Sequence, residues 1–538
     1  MLAESLAGLE PVWPKIVTTA LAVAIILFVR YFDYEKKVKV PVVGPGTALT
    51  KWVAAVRNVW SSRESVHEGY KKHGDFAFQI PTMTRMDVFL CDRAMTREYC
   101  SLGEDHMSFQ AVMAEEFQFQ YSLPGQQHNI RRIPNSVIAK ALSWQKTRAS
   151  NPVDPFFREF SNEFLHGFQE EMEAFERCPK SYSLPFFSHA NQSMRGHSDW
   201  ISLPCFPLAL KIIARVTTKS LFGEPLCRDR SFLDLCCEVG DSVPRVALIL
   251  RCCPAFARPL VAKLLKAPVH VQRLQNVILR EIKLRGDSRT LNPMKDLLDF
   301  AINWVDEQNT EGWEDCHVAD MMTNTIFAAL HTSSQLVVHT IFELATRPEY
   351  VKPLRTEIQE CFATHGDGTK EAVDTMHKID SFIKETQRFN ALDASALARL
   401  VLKPYTFSNG LHVPEGTYIF TPNSPLLQDE RYYKDPQVFD GFRFARMRDD
   451  PKLKSSSPLT ATSETSMHFG IGRHACPGRY MVSDEVKLVM IHLLVNFDFA
   501  IENFGPRPRN VAFGKFMLPN MSAQVWLRPS RQSAPSGS

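Results

Sequence analysis

The 12 cysteines of this chain form no C-x-x-C pair, and their spacing is irregular. At 538 residues the chain is too long to need disulfide staples, so they read as free, mostly buried thiols of a reducing compartment. An excess of charge of one sign is also missing. Lys and Arg total 62 against 59 Asp and Glu, a formal net charge of +3, which argues against a dedicated nucleic-acid binder. Low-complexity stretches and internal repeats are lacking too. The 34 prolines and 24 glycines are scattered, so flexible linkers are not expected. Strand signals are few. What remains is an ordinary globular balance, 44% apolar and 22% charged, which excludes a disordered, collagenous or polytopic membrane chain. The length allows several domains but fits one large enzyme domain as well.

The N-terminus departs from this balance. Val12 to Phe32 is mostly apolar, with Lys15 and Arg30 near its ends, where long side chains can snorkel. At about 1.5 Å per residue it spans a bilayer core of about 30 Å. Trp13 and Tyr31 fall at interfacial depth. A signal peptide would end in small residues; here Tyr31-Phe32-Asp33-Tyr34 follows, so a retained single-pass anchor is expected. Arg30, Lys36, Lys37 and Lys39 flank its C-terminal end, which predicts a cytosolic catalytic part. The expected layout is an anchor over residues 1–40, with its transmembrane helix at about 12–32, and a catalytic domain over residues 41–538.

After the Pro41-to-Gly46 hinge most segments read helical: Phe156 to Phe175, Leu208 to Leu221, Val269 to Leu284. The longest candidate, Val318 to Thr346, is apolar on nearly every side and must cross the centre of a large domain. A hairpin is expected about Asn409-Gly410, with Thr417 to Phe420 continuing a small sheet. The fold class is mainly α with a small β portion late in the sequence.

Residues 469–479 read Phe-Gly-Ile-Gly-Arg-His-Ala-Cys-Pro-Gly-Arg, ahead of an apolar helix from Tyr480 to Asn496. Glycines free the backbone for close approach. Cys476 sits just before a helix N-terminus, whose dipole and free N–H groups favour a thiolate. A lone cysteine in a glycine-rich turn is normally structural; here the whole pattern matches. The segment resembles the haem-binding loop of the cytochrome P450 superfamily, F-x-x-G-x-R-x-C-x-G, through Phe469, Gly472, Cys476 and Gly478. His474 stands where the family has an arginine that pairs with a haem propionate. This G-x-H-x-C-P-G-R form looks like filamentous-fungal members of secondary metabolism.

The resemblance extends upstream. Glu385 and Arg388 supply the family's E-x-x-R motif, and Arg443 in Phe439-Asp440-Gly441-Phe442-Arg443-Phe444 supplies its partner, together implying a buried structural network. Ala328-Ala329-Leu330-His331-Thr332-Ser333 occupies the place of the oxygen-side motif A/G-G-x-D/E-T-T/S. There Ala328 and Ala329 leave room above a porphyrin, Thr332 can pass a proton, and His331 replaces the usual acid. Arg399 and either Arg131 or Arg132 match family positions for propionate cations, although the two adjacent arginines read equally as surface charges.

The resemblance thus implies a cytochrome P450 fold, a large helical haem domain behind one transmembrane helix, with Cys476 as axial ligand of haem b. It implies a monooxygenase using O2 and electrons from a separate NADPH-dependent reductase, located in the endoplasmic reticulum membrane with its catalytic domain cytosolic. Pocket candidates by family position are the stretches Met107–Ser122, Ile326–Thr332, Ala394–Leu397 and Phe516–Leu518, with Ala328, Ala329, Ala396, Leu397 and Met517 as the lining residues expected. Their apolar, flexible character suits a bulky lipophilic substrate, with a terpenoid or polyketide as the expectation. Two rival readings remain: a haem-thiolate isomerase or dehydratase that uses no oxygen, and a non-catalytic haem-binding membrane protein.

Overall fold

The structure, a computed structural model, describes residues 38–44, 48–83, 85–123, 135–152, 154–177, 200–253, 255–286, 294–308 and 314–530. The expected anchor at 12–32 lies outside the described residues. Among the described residues no helix is long and apolar enough to cross a membrane. The chain divides into two compact units. The first holds the described residues up to Val112, with Asp393–Leu426 and Ala512–Phe516. The second holds Met113–Leu392, Leu427–Val511 and the residues from Met517 onward. In chain order the strands are β1 (Ala77–Pro81), β2 (Met86–Leu90), β3 (Met107–Ser108), β4 (Ile201–Pro204), β5 (Ser395–Val401), β6 (Tyr405–Thr406), β7 (His412–Val413), β8 (Tyr418–Pro422), β9 (Phe497–Ile501), β10 (Val511–Phe513), β11 (Phe516–Leu518) and β12 (Gln524–Pro529).

The first unit is built on a five-stranded sheet in the order β1-β2-β8-β5-β3, with helices α1 (Ala48–His73) and α2 (Arg93–Ser101). β1 pairs β2 antiparallel, β2 pairs β8 in parallel, and β8 pairs β5 antiparallel. The rings of Phe78, Phe89 and Phe420 stack across it at 5.0 and 5.5 Å. Gly69 of α1 lies so close that a Cβ there would stand 2.3 Å from the Phe78 ring, so glycine sets how tightly the helix lies on the sheet. The residues after the expected anchor dock alongside: Val43 N donates to Gln79 O at 2.9 Å, and Gln79 N to Pro41 O at 2.8 Å.

The second unit is helical: α3 (Asn135–Ala149), α4 (Phe156–Arg177), α5 (Cys205–Phe222), α6 (Arg230–Cys252), α7 (Ala267–Gly286), α8 (Leu297–Gln308), α9 (Asp315–Ala345), α10 (Val351–His365), α11 (His377–Phe389) and α12 (Arg479–Asn496). Its core is continuous from Phe157 and Phe160 through Ile213 and Leu330 to Leu488 and Leu494. α9 runs through it with 20 of its 31 residues buried, as its apolar circumference dictates. It begins three residues before the expected Val318, because Glu314 and His317 close a capping box, His317 Nδ1 accepting from Glu314 N at 3.0 Å. A three-stranded sheet, β4-β12-β9, completes the unit.

The mainly helical class with a minor β part is the observed one. The sheet expectation is corrected in two ways. β1 and β2, early in the chain, carry the main sheet. And β8 joins that sheet, whereas the hairpin strands β6 and β7 about Asn409-Gly410 pair only with each other.

Candidate active site

In the second unit, the cysteine loop is shaped by its glycines. Gly470 and Gly472 have φ of +67° and +64°. A Cβ at Gly470 would stand 3.0 Å from His474 O, so the turn closes only on glycine. Cys476 N donates to Phe469 O at 2.6 Å, and Ala475 N to Gly472 O at 3.1 Å, which folds residues 469–476 back on themselves. Phe469 packs against the main core, while Gly472 is exposed and His474 half-buried in a short 3-10 turn. Burial pushes the Cys476 thiol up; the N–H groups of Gly478 and Arg479 and the Arg479 charge pull it back. These are the first turns of α12, whose dipole points at the sulfur. Arg479 also donates from Nη1 to Cys476 O at 2.7 Å. It is the last residue of the motif quoted above, and its charge beside the cysteine was the signal for this role.

Along buried α9 one stripe is open. Ala328 and Thr332, one helical turn apart, are exposed and Ala329 is half-exposed, in the middle of a helix whose other exposed residues, Asp315 and Cys316, lie at its start. Thr332 Oγ1 donates to Ala328 O at 2.8 Å. Beside the stripe stands an aromatic trio, Phe117, Phe119 and Phe327, with Phe117 and Phe327 edge to face at 5.1 Å. His331 is not with Thr332. Successive helical residues point about 100° apart, and the His331 ring turns to α6, its Nε2 2.8 Å from Asp241 Oδ1. Gly240 makes the room, since a Cβ there would stand 2.4 Å from the ring. The structure thus brings the His331 imidazole to Asp241 at the α6–α9 contact rather than to Thr332. Asp241, 90 residues away in sequence, left no signal for that pairing.

Glu385, Arg388 and Arg443 come together as expected. Arg388 binds Glu385 bidentately, both bonds 2.8 Å, and Arg443 Nε donates to Glu385 Oε2 at 3.1 Å. Asp440 N donates to Glu385 Oε1 at 3.0 Å. Arg388 Nη1 reaches Leu427 O and Pro436 O at 2.8 and 2.9 Å. The carboxylate is fully buried between two guanidinium groups, and their other donors end on backbone carbonyls that take up the second positive charge.

The first unit holds Ala396, Leu397 and Arg399, all on β5. Arg399 is 2% exposed; its Nη1 donates to its neighbour's carbonyl, Ala398 O, at 2.7 Å, and its Nη2 meets no hydrogen-bond partner. In the second unit, Met517 N donates to Leu392 O at 2.7 Å, and its sulfur accepts from Asn510 Nδ2 at 2.9 Å. Arg131 and Arg132 lie outside the described residues. Within the second unit, a thiol met by helix N–H groups and an open small-residue stripe in a buried helix fit what an iron porphyrin would need, a thiolate to hold the iron and room for small molecules; within the first, the buried Arg399 keeps a donor unanswered.

Comparison with known proteins agrees. The family model described as Cytochrome P450 matches residues 149–527. The chain is 69% identical over 536 residues to cytochrome P450 monooxygenase terQ of Tolypocladium album, covering 99% of this chain and 97% of that one. It is 62% identical over 516 residues to cytochrome P450 monooxygenase ltmQ of Epichloe festucae var. lolii, covering 96% of each. At 38% over 499 residues it is similar to cytochrome P450 monooxygenase paxQ of Penicillium paxilli, covering 92% and 93%. The chain belongs to the cytochrome P450 family, an oxidoreductase of the monooxygenase kind that works with haem iron, O2 and electrons from a reductase.

Proposed function

We propose that this chain inserts one oxygen atom of O2 into a bulky lipophilic substrate, by hydroxylation, epoxidation or repeated oxidation. The reading is carried by the open stripe Ala328-Ala329-Thr332 flanked by Phe117, Phe119 and Phe327, an apolar wall with one hydroxyl set into it. A terpenoid or polyketide intermediate is the proposed class, on the likeness of the cysteine loop to fungal secondary-metabolism members. We propose further that residues 12–32 anchor the chain in the endoplasmic reticulum, catalytic part cytosolic, beside a separate NADPH-dependent reductase.

Bound haem supplies electron transfer and oxygen activation. The chain's residues do the rest. Cys476 would hold the iron, with the Gly478 and Arg479 N–H groups orienting its sulfur. His474, Arg399 and Arg131 or Arg132 would answer the propionates. Thr332 Oγ1 keeps its proton on Ala328 O and has a lone pair free; releasing that carbonyl turns it into a donor facing the open stripe. Phe117 and Phe327 keep water from the reacting carbon.

The test is the absorption spectrum of the reduced, carbon-monoxide-bound protein beside that of Cys476→Ser. A strongly red-shifted Soret band that the variant loses is the expected result. A folded, haem-loaded protein without that band would remove the thiolate and the open oxygen side together, and the monooxygenase reading with them.

A further inference from the structure

A backbone irregularity in the first unit has its own clamp. β5 and β8 pair at Ser395 with Pro422 and at Ala396 with Thr421, then resume at Arg399 with Ile419. Leu397 and Ala398 thus face the single residue Phe420, a β-bulge. Leu397 holds φ of +54°, a left-handed conformation that a branched side chain adopts only when its surroundings impose it. What imposes it is visible. Tyr99, fully buried on α2, places its hydroxyl 3.2 Å from Leu397 O and 2.7 Å from Thr421 Oγ1. A carbonyl only accepts, so Tyr99 donates to Leu397 and takes a bond from Thr421. α2 is itself fixed by its cap, Asp92 Oδ1 accepting from Ala94 N at 2.8 Å. The bulge carries two residues of the haem-site reading, Leu397 and Arg399. Relaxed to a regular ladder, it would shift the strand by one residue and turn Leu397 to the other face.

We infer that Tyr99 is a positioning residue: its hydroxyl holds the β5 bulge and so sets the positions of Leu397 and Arg399, the two residues of the haem-site reading that the bulge carries. The inference rests on the haem-site reading above.

The test uses the full-length holoprotein and two iron-binding probes, imidazole and 1-dodecylimidazole, followed by the Soret shift. Imidazole senses the iron alone; the long-tailed probe also senses the pocket wall. Tyr99→Phe keeps the ring and removes only the hydroxyl. It is expected to leave imidazole binding within about two-fold and to weaken the tailed probe about five-fold, the scale of one lost hydrogen bond. Leu397→Gly adopts positive φ without help, so in that background Tyr99→Phe is expected to change the tailed probe by less than about two-fold. If Tyr99→Phe alone gives no holoprotein, adding Leu397→Gly is expected to restore it, because glycine holds positive φ without the clamp; failure to restore it would overturn the inference. Equal effects on both probes, no effect on either, or a five-fold effect that persists beside Leu397→Gly would overturn the inference. A wild-type holoprotein that binds neither probe would instead overturn the haem-site reading, and the clamp's role with it.

Discussion

Glu485 sits nine positions beyond Cys476 on α12, fully buried, where Thr217 Oγ1 of α5 donates to it at 2.7 Å and Ser333 of α9 adjoins it. Burial outweighs these bonds and pushes its carboxyl up to about 8. The folded chain therefore keeps a proton that the unfolded chain releases from about pH 4.5 upward. The stability tied to that proton is whole below pH 4.5 and is lost as pH rises through about 8. Glu485→Gln preserves the shape and the bond from Thr217 but has no proton to lose. Its melting temperature relative to wild type should climb by at least about 2 °C between about pH 5 and pH 8. A difference that stays flat with pH would mean Glu485 is ionised in the folded chain. No sequence pattern announced this group, because a glutamate in a helix reads as solvated until its neighbours from α5 and α9 are known. Glu385 was legible by contrast: its partner Arg388 lies three residues away on the same face, and the motif brought Arg443 with it.

The same contrast holds for whole elements. α9 and α12 were legible because their apolar residues recur around most of the circumference over several turns, which a segment buried in a helical core requires. β1 and β5 were not. Ala77–Pro81 is buried without alternation, and Ser395–Val401 is rich in Ala and Leu, which favour helix; pairing with β2 and β8 imposes their extended state. On α9 the sequence told which residues share a motif but not which way they face: Thr332 lies on the open stripe, while the His331 ring turns to Asp241 of α6. The open stripe makes a prediction about the helix as a unit. Thr332 Oγ1 bonds only to carbonyls of its own helix, Ala328 O and Ala329 O, so Thr332→Ala should leave the fold and the carbon-monoxide band intact. It should cut product formed per NADPH consumed about ten-fold or more, the difference appearing as peroxide. Measured with the reductase and any turned-over lipophilic substrate, unchanged coupling would show that the proton reaches the site by another group.

For the molecule as a whole, the open question is what ties it to a surface. Among the described residues no helix is long and apolar enough to cross a membrane, and the proposed span is residues 12–32. The first described residues lie along β1, with Pro41 and Val43 bonded to Gln79. Charge placement separates a spanning segment from one that merely adheres. Arg at the centre of a spanning helix costs about 2.5–3.5 kcal/mol, so Leu21→Arg with Ile25→Arg in one chain should expel the segment from the bilayer. The full chain is expected to stay with membranes through an alkaline carbonate wash, and the doubly substituted chain to be released with its carbon-monoxide band unchanged, because neither residue belongs to the haem site. Retention of both chains through the wash would show that another surface holds the protein, and release of both would show that residues 12–32 do not span.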